Sequence, residues 1–328
     1  MIRPRDRVLV VKLSSLGDVF HALPAVDQLR RELELTVDWV THPAYVDVVS
    51  CFEGIRKVIA CPRRKVFSRA GEFLGELRRE RYDVVLDFQG LQKSAWVSRL
   101  ARAGLRVGPS FHREGSRLLY HEVTGARNKE RHAVEECLDA VRWAGLTPGE
   151  VSFPVSFPRP EEVLPDSPRV GLLPCSRWET KNWPPEHFAE VARGLMETRN
   201  ASVFLFGARE DEEVCRSIAT LAPGCLNRCG RTSLPELGGY LARMDVVVCV
   251  DSGPMHVAAA AGTRVVAVFG ATSALRTGPF GDRHRVLARE LGCRPCLSRT
   301  CRLPERDIRC LRDLGPEVVL GTVAGLLH

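Results

Sequence analysis

No apolar run in these 328 residues approaches the ~18–20 needed to cross a bilayer, which excludes a helical membrane protein. The amino-terminal MIRPRDRVLVVKLSS has basic and then apolar residues. Its apolar part spans only about six residues and runs straight into a polar motif, so it reads as a first strand, not a signal peptide. That expectation places the protein in the cytoplasm. No G-x-G-x-x-G fingerprint follows a strand, which disfavours a dinucleotide oxidoreductase. No helix-turn-helix or RNP-type motif is present, so no nucleic-acid partner is expected. Short-period repeats and low-complexity tracts are missing too. What remains is 45% hydrophobic and 27% charged, the profile of a globular chain with room for two domains. Twelve cysteines in a reducing compartment are expected to be mostly core thiols.

Charge is uneven. The net balance is +7, yet 56–131 alone holds 18 Lys/Arg against 8 Asp/Glu, and the remainder is slightly acidic. Such a field favours an anionic partner, and a phosphorylated or carboxylated substrate near a membrane fits it better than nucleic acid.

Strand and helix patterns alternate along the chain. Arg7–Leu13, Leu35–Val40, Val58–Ile59, Tyr82–Phe88 and Leu105–Gly108 read as strands. Between and after them, Val19–Glu32, Ala70–Arg81, Leu91–Ala103 and His132–Ala144 read as helices, with loops over 108–129. Thr147–Pro168 holds six prolines and reads as a stiff extended linker. The alternation then restarts through strands at Arg169, Ser202, Val246 and Val265. The expected fold is therefore α/β: two Rossmann-like, doubly wound domains, 1–160 and 161–328, facing each other across a cleft.

Four constellations carry chemistry. In VVVCVDSGPMHVAAAAG (246–262) a doubly buried strand stops at Asp251-Ser252-Gly253-Pro254 and a small-residue helix begins. Free N–H groups and the helix dipole make that junction a seat for phosphate. In Lys12-x-Ser-Ser-Leu-Gly-Asp18, Gly17 is expected to let the chain turn tightly. Asp18 lands in a first helical turn, where the dipole keeps it ionised and able to act as a general base. Pro174 to Pro184 offers Ser176 and the mobile ammonium of Lys181, suited to a leaving diphosphate. Phe206-Gly-Ala-Arg-Glu-Asp211 offers a carboxylate for ribose or base hydroxyls. A further cluster, Cys293-x2-Cys296-x4-Cys301-x8-Cys310, looks like a thiolate knuckle. Structural zinc or iron, a disulfide pair and free thiols all remain open there.

These residues resemble the ADP-heptose:lipopolysaccharide heptosyltransferases, glycosyltransferase family 9, over nearly the whole chain. The resemblance is carried by VLVVKLSSLGDVFHALPAV (8–26), SRWETKNWPPEHFAEV (176–191), VVCVDSGPMHVAAAAG (247–262) and VFGATSALRTGPFG (268–281). The first of these is nearer to the type that adds the first heptose. The resemblance implies the GT-B architecture, with acceptor on the amino-terminal half, donor on the carboxyl-terminal half, and the last helix returning to the first domain. It also implies an inverting, metal-independent displacement with no catalytic cofactor. Matched residue by residue, Asp18 is the base, Ser176 and Lys181 meet the donor phosphates, Asp211 meets the nucleoside, and Asp251, Gly253 and His256 form the donor loop. Ser14, Gly17, Cys175 and Ser252 complete the expected donor set. Arg63, Arg64, Lys65, Gln89 and Lys93 are the expected acceptor contacts. Pro254 and Met255 fill positions that vary in the family, and the cysteine cluster recurs only in some relatives. The implied partners are ADP-heptose, a lipid A-core acceptor and the inner leaflet of the cytoplasmic membrane. Rival readings are a transferase of other sugars or acceptors, a non-catalytic nucleotide-binding protein, and, on charge alone, a nucleic-acid binder.

Overall fold

The computed structural model describes residues 1–62 and 66–327, with the backbone alone at 66–70. The chain divides into two compact units, Met1–Ser156 and Phe157–His328. The first holds β1 (Arg7–Val11), β2 (Thr36–Thr41), β3 (Ile55–Ala60), β4 (Tyr82–Asp87), β5 (Ala103–Pro109) and β6 (Glu122–Thr124). The second holds β7 (Arg169–Leu173), β8 (Ser202–Leu205), β9 (Leu226–Asn227), β10 (Val246–Val250), β11 (Arg264–Val268) and β12 (Arg285–Leu287). The sheets run β3-β2-β1-β4-β5-β6 and β12-β11-β10-β7-β8-β9, all parallel. Both therefore have the doubly wound order in which the chain reverses direction between its first and fourth strands. Ligands of open α/β sheets bind at the carboxyl ends of strands at such a switch point. In the first unit that point lies after β1 and β4; in the second, after β7 and β10.

The central strands are buried on both faces, as helices on either side of a parallel sheet require: all five residues of β10 are inaccessible, and Val8 to Val11 nearly so. The helix after β1, Leu16–Leu33, starts three residues before Val19: Ser15 is its N-cap, and Asp18 in the first turn accepts the Ser15 N–H and hydroxyl. Gly17 accordingly sits inside the first helical turn and makes no tight turn.

Differences from the sequence expectation fall where nonlocal contacts decide. The short polar β6 emerges within 108–129 because β5 offers it a ladder. The helix expected over His132–Ala144 splits into Ala133–Cys137 and Asp139–Trp143, with buried Asp139 bound by Arg131 and Arg142. The proline-rich stretch has no long element, but it is fastened along its length. Gly149 and Glu150 bond to Gln28, Ser156 bonds to Glu53, and Glu162 bonds to Arg228 and Tyr240. The last helix, Pro316–Ala324, is part of the second unit: its Val319 and Val323 enter that unit's core, Leu320 packs over Gly194, and the Trp183 indole N–H donates to the Leu314 carbonyl at 2.9 Å.

Candidate active site

In the first unit the chain leaves β1 at Lys12, whose ammonium is buried (5% exposed) and donates to the Phe88 carbonyl at 2.7 Å. Ser15 then caps the helix and Asp18 occupies its first turn. One carboxylate oxygen of Asp18, Oδ2, accepts the Ser15 N–H at 2.8 Å and its hydroxyl at 2.7 Å. The other, Oδ1, lies 3.7 Å from Nδ1 of buried His21, and 40% of the side chain remains open. Burial alone would raise this carboxyl. The Lys12 charge, His21 and the Ser15 N–H outweigh it and hold Asp18 well below the usual carboxylate range.

The loop carrying Asp18 is fixed from β4. Asp87, buried at the end of that strand, accepts the N–H groups of Gln89 (2.7 Å) and Gly90 (3.0 Å) and the Tyr120 hydroxyl (2.7 Å). Burial pushes Asp87 itself upward. Gln89 in turn accepts the N–H groups of Leu13 and Ser14 at 3.1 and 3.0 Å through its amide oxygen. An expected acceptor contact thus spends its oxygen on holding the Ser14 turn. Ser14 itself is exposed, and Lys93 reaches the Pro62 carbonyl at 3.3 Å. Arg63, Arg64 and Lys65 lie outside the described residues.

In the second unit the loop after β7 ends in a single helical turn, Glu179–Lys181. The Lys181 ammonium pairs with Asp251 at 2.8 Å and sits 4.7 Å over the Trp178 ring, whose other partner is Arg299 at 5.1 Å. Asp251, 6% exposed at its side chain, also accepts the Thr272 hydroxyl at 2.5 Å. The Lys181 turn rests on β11's exit: Ala271 N–H donates to the Thr180 carbonyl at 3.3 Å, and a Cβ on Gly270 would stand 2.5 Å from that carbonyl. Ser252 is the N-cap of Gly253–Ala260, but its side chain makes no cap bond; the buried hydroxyl has no partner among the described residues. Buried His256 stands in the first turn of that helix. An ammonium, an unpartnered hydroxyl and a helix amino terminus together suit a diphosphate.

The remaining expected donor residues are engaged locally. The Ser176 N–H donates to Asn182 at 2.7 Å, and Asp211 accepts the Ala208 N–H at 2.9 Å. Cys175 is half-buried near the Cys215 thiol, which points to the Phe206 carbonyl. Cys293, Cys296, Cys301 and Cys310 surround one cavity of about 30 Å³ beside Thr180 and Arg294. Among the described residues no three His, Cys, Asp or Glu side chains form a metal-holding group. None of the four is joined in a disulfide. The first two face solvent, Cys301 donates to the Asp307 carbonyl at 3.3 Å, and Cys310 packs against the second unit's core.

Sequence reasoning assigned no role to Lys12, His21, Trp178 or Thr272. Lys12 had a signal: a lysine inside an apolar strand run must find a partner when buried. His21 follows Asp18 at i+3 on the same helix face. Thr272 had none, since its contact with Asp251 exists only because β10 and β11 are neighbours.

The family model described as Glycosyltransferase family 9 (heptosyltransferase) matches 71–306. Lipopolysaccharide heptosyltransferase 1 of Pseudomonas aeruginosa is 31% identical, over 95% of this chain and 92% of that protein. The protein of the same name from Escherichia coli K12 is 29% identical over 98% of this chain and all of that one. The solved E. coli heptosyltransferase WaaC with ADP superposes with a TM-score of 0.79 at 25% identity, covering 98% of this chain and 99% of that one. Two parallel six-stranded α/β units in the GT-B manner, a match across most of the chain and these relatives lead to one assignment: the chain belongs to glycosyltransferase family 9, the heptosyltransferases.

Proposed function

We propose that the protein moves heptose from ADP-heptose to a hydroxyl of the Kdo-lipid A inner core, with inversion, in the cytoplasm at the inner face of the membrane. The observation that carries this reading is Asp18. It is a carboxylate at the switch point of the first unit, kept ionised by Lys12, with Oδ2 bound by Ser15, Oδ1 facing His21 and 40% of the side chain accessible. An acceptor hydroxyl gives its proton to the Asp18 carboxylate while its oxygen bonds to the anomeric carbon. The bond from that carbon to the diphosphate breaks, and ADP leaves with the electron pair. Lys181 meets the growing phosphate charge, and Asp251 with Thr272 keeps its ammonium in place. The Ser252 hydroxyl and the first N–H groups of Gly253–Ala260 supply further donors. The names of relatives support the donor: WaaC has been solved with ADP and, at 26% identity to this chain, with ADP-2-deoxy-2-fluoro heptose.

The test is thermal unfolding with ADP, UDP, GDP and ADP-heptose, followed by ADP release on adding a heptose-free lipid A-core acceptor. Ligand at ~100 times Kd stabilises by about 2.7 kcal/mol, a shift of several degrees. Selective stabilisation by adenine compounds with acceptor-dependent ADP release is expected. Stabilisation by UDP or GDP instead would discard the donor, and ADP binding without turnover would discard the enzyme.

A further inference from the structure

Each unit has an open concavity at the amino ends of its strands, away from the carboxyl-end loops described above. Their volumes are nearly equal, about 680 Å³ in the first unit and 690 Å³ in the second. Their existence is therefore a property of the fold. Their charge is not. The second is lined by Asp166 and Asp245 together with Arg169, Arg264 and Arg283, and these are spent internally. Arg169 faces Asp245 at 3.9 Å, while Arg264 and Arg283 donate to the carbonyls of Leu326 and Gly262. The first is lined by Arg78, Arg81, Arg99, Arg102 and Arg106 and by no acidic residue.

Among the described residues none of these five arginines pairs with a carboxylate. The acids nearby in sequence are engaged elsewhere: Glu76 with Lys57, Glu80 with Arg7 and Arg56, and Asp83 with the Arg7 N–H. Arg106 is 8% exposed, and its guanidinium donates to the Ser98 and Ala101 carbonyls alone among the described residues. Burial and the neighbouring Arg99 both disfavour its charge. A buried guanidinium among four others is a strong attractor for anions. Beside it the helix Gln92–Leu100 presents Trp96 (50% exposed) and Leu100 (43%) to solvent. Trp at the edge of an arginine patch is the composition of a membrane-interface surface, with the amphipathic ring at headgroup depth and guanidiniums on the phosphates.

We infer that this arginine-lined face of the first unit docks on the phosphate headgroups of an anionic bilayer. The inference rests on the reading of a lipid-borne acceptor. The concavity lies at the amino ends of β4 and β5, while Asp18 follows the carboxyl end of β1. A six-residue strand is about 20 Å long.

The experiment is flotation of the full-length protein with phosphatidylcholine vesicles, with or without phosphatidylglycerol, and with inorganic phosphate as competitor. Wild type is expected to float with the anionic vesicles alone, with binding falling steeply as salt rises. R99A/R102A should weaken partitioning about thirtyfold, roughly fivefold for each arginine lost near an anionic surface. R78A/R81A should do the same, and Trp96→Ala should weaken it severalfold. All variants should transfer heptose to a delipidated acceptor at the wild-type rate. Equal binding to neutral vesicles, wild-type binding by both double variants, or saturation by inorganic phosphate without vesicle binding would each overturn the inference. Vesicle binding that follows this pattern in a protein lacking transferase activity would sustain the docking face and sink the proposed function instead.

Discussion

The two units use one scaffold to hold groups of opposite sign. In each, a buried acid at the end of the fourth strand fastens the loop that follows the first strand: Asp87 after β4, Asp251 after β10. In the second unit the held group is a cation, so the acid grips it directly, Lys181 to Asp251 at 2.8 Å. In the first unit the held group is Asp18, and a carboxylate cannot grip another carboxylate. There Asp87 acts at one remove, through the N–H groups of Gln89 and Gly90, and the Gln89 amide then takes the Leu13 and Ser14 N–H groups. Asp18 stays partly open and is kept ionised by Lys12, His21 and the Ser15 N–H, while Lys181 and Asp251 are largely covered. In the proposed reaction the first receives a proton and the second presents a fixed positive charge.

The largest break in this comparison is Asp18→Asn. It removes the proton acceptor but not the capping geometry, so kcat should fall about 10²–10⁴-fold with ADP affinity unchanged by calorimetry. An equal loss of ADP affinity would move Asp18 to the donor side. Asp251→Ala should act the other way. It leaves Lys181 without its partner, costs about 3 kcal/mol of unfolding free energy in denaturant titration, and weakens ADP binding. Unchanged stability would mean that the pair is not held as described.

Acid should separate the units next. His284 is buried beside β11, where its Nδ1 accepts the Val265 N–H, and burial with Arg283 nearby lowers it to about 4. Its folded value lies below the free value, so the unfolded chain takes up the proton first. Its contribution is complete above pH ~6.5 and is lost as pH falls toward 4, about 2 kcal/mol at pH 5. Asp18, depressed in the first unit, loses its contribution only below the free carboxylate value. The second unit's hydrogen-exchange protection should therefore weaken first on acidification, and His284→Asn should flatten that dependence. Simultaneous loss in both units would contradict this assignment. The smallest effect is Gln89→Leu. Loosening the Ser14 turn should lower kcat about tenfold while ADP affinity stays put, and a fall in ADP affinity alone would break the relay.

Much of the scaffold was legible because its signals are local. Val246–Val250 followed by Asp-Ser-Gly-Pro spells a doubly buried strand and a helix start wherever it occurs. Ser15 and Asp18 spell a capping box, and their helix leaves Asp18 at a strand's carboxyl end. The short edge strands β6, β9 and β12 were not legible, since few residues and a polar pattern become a strand only when a neighbour supplies the ladder. Nor was the fate of the cysteines: their spacing allows a knuckle, but where each sulfur points is set by the loops around Thr180 and Arg294.

The sequence by itself determined the alternation, the two halves, and the acid and lysine to which the proposed chemistry is assigned, because periodicity and capping act over a few residues. Only the tertiary structure decided that Lys12 lies beside Asp18, that Thr272 donates its hydroxyl to Asp251, and that Gln89 serves the loop. Those contacts join strands that are adjacent in the sheet but distant in the chain, and their electrostatics follow from a burial that no local pattern encodes.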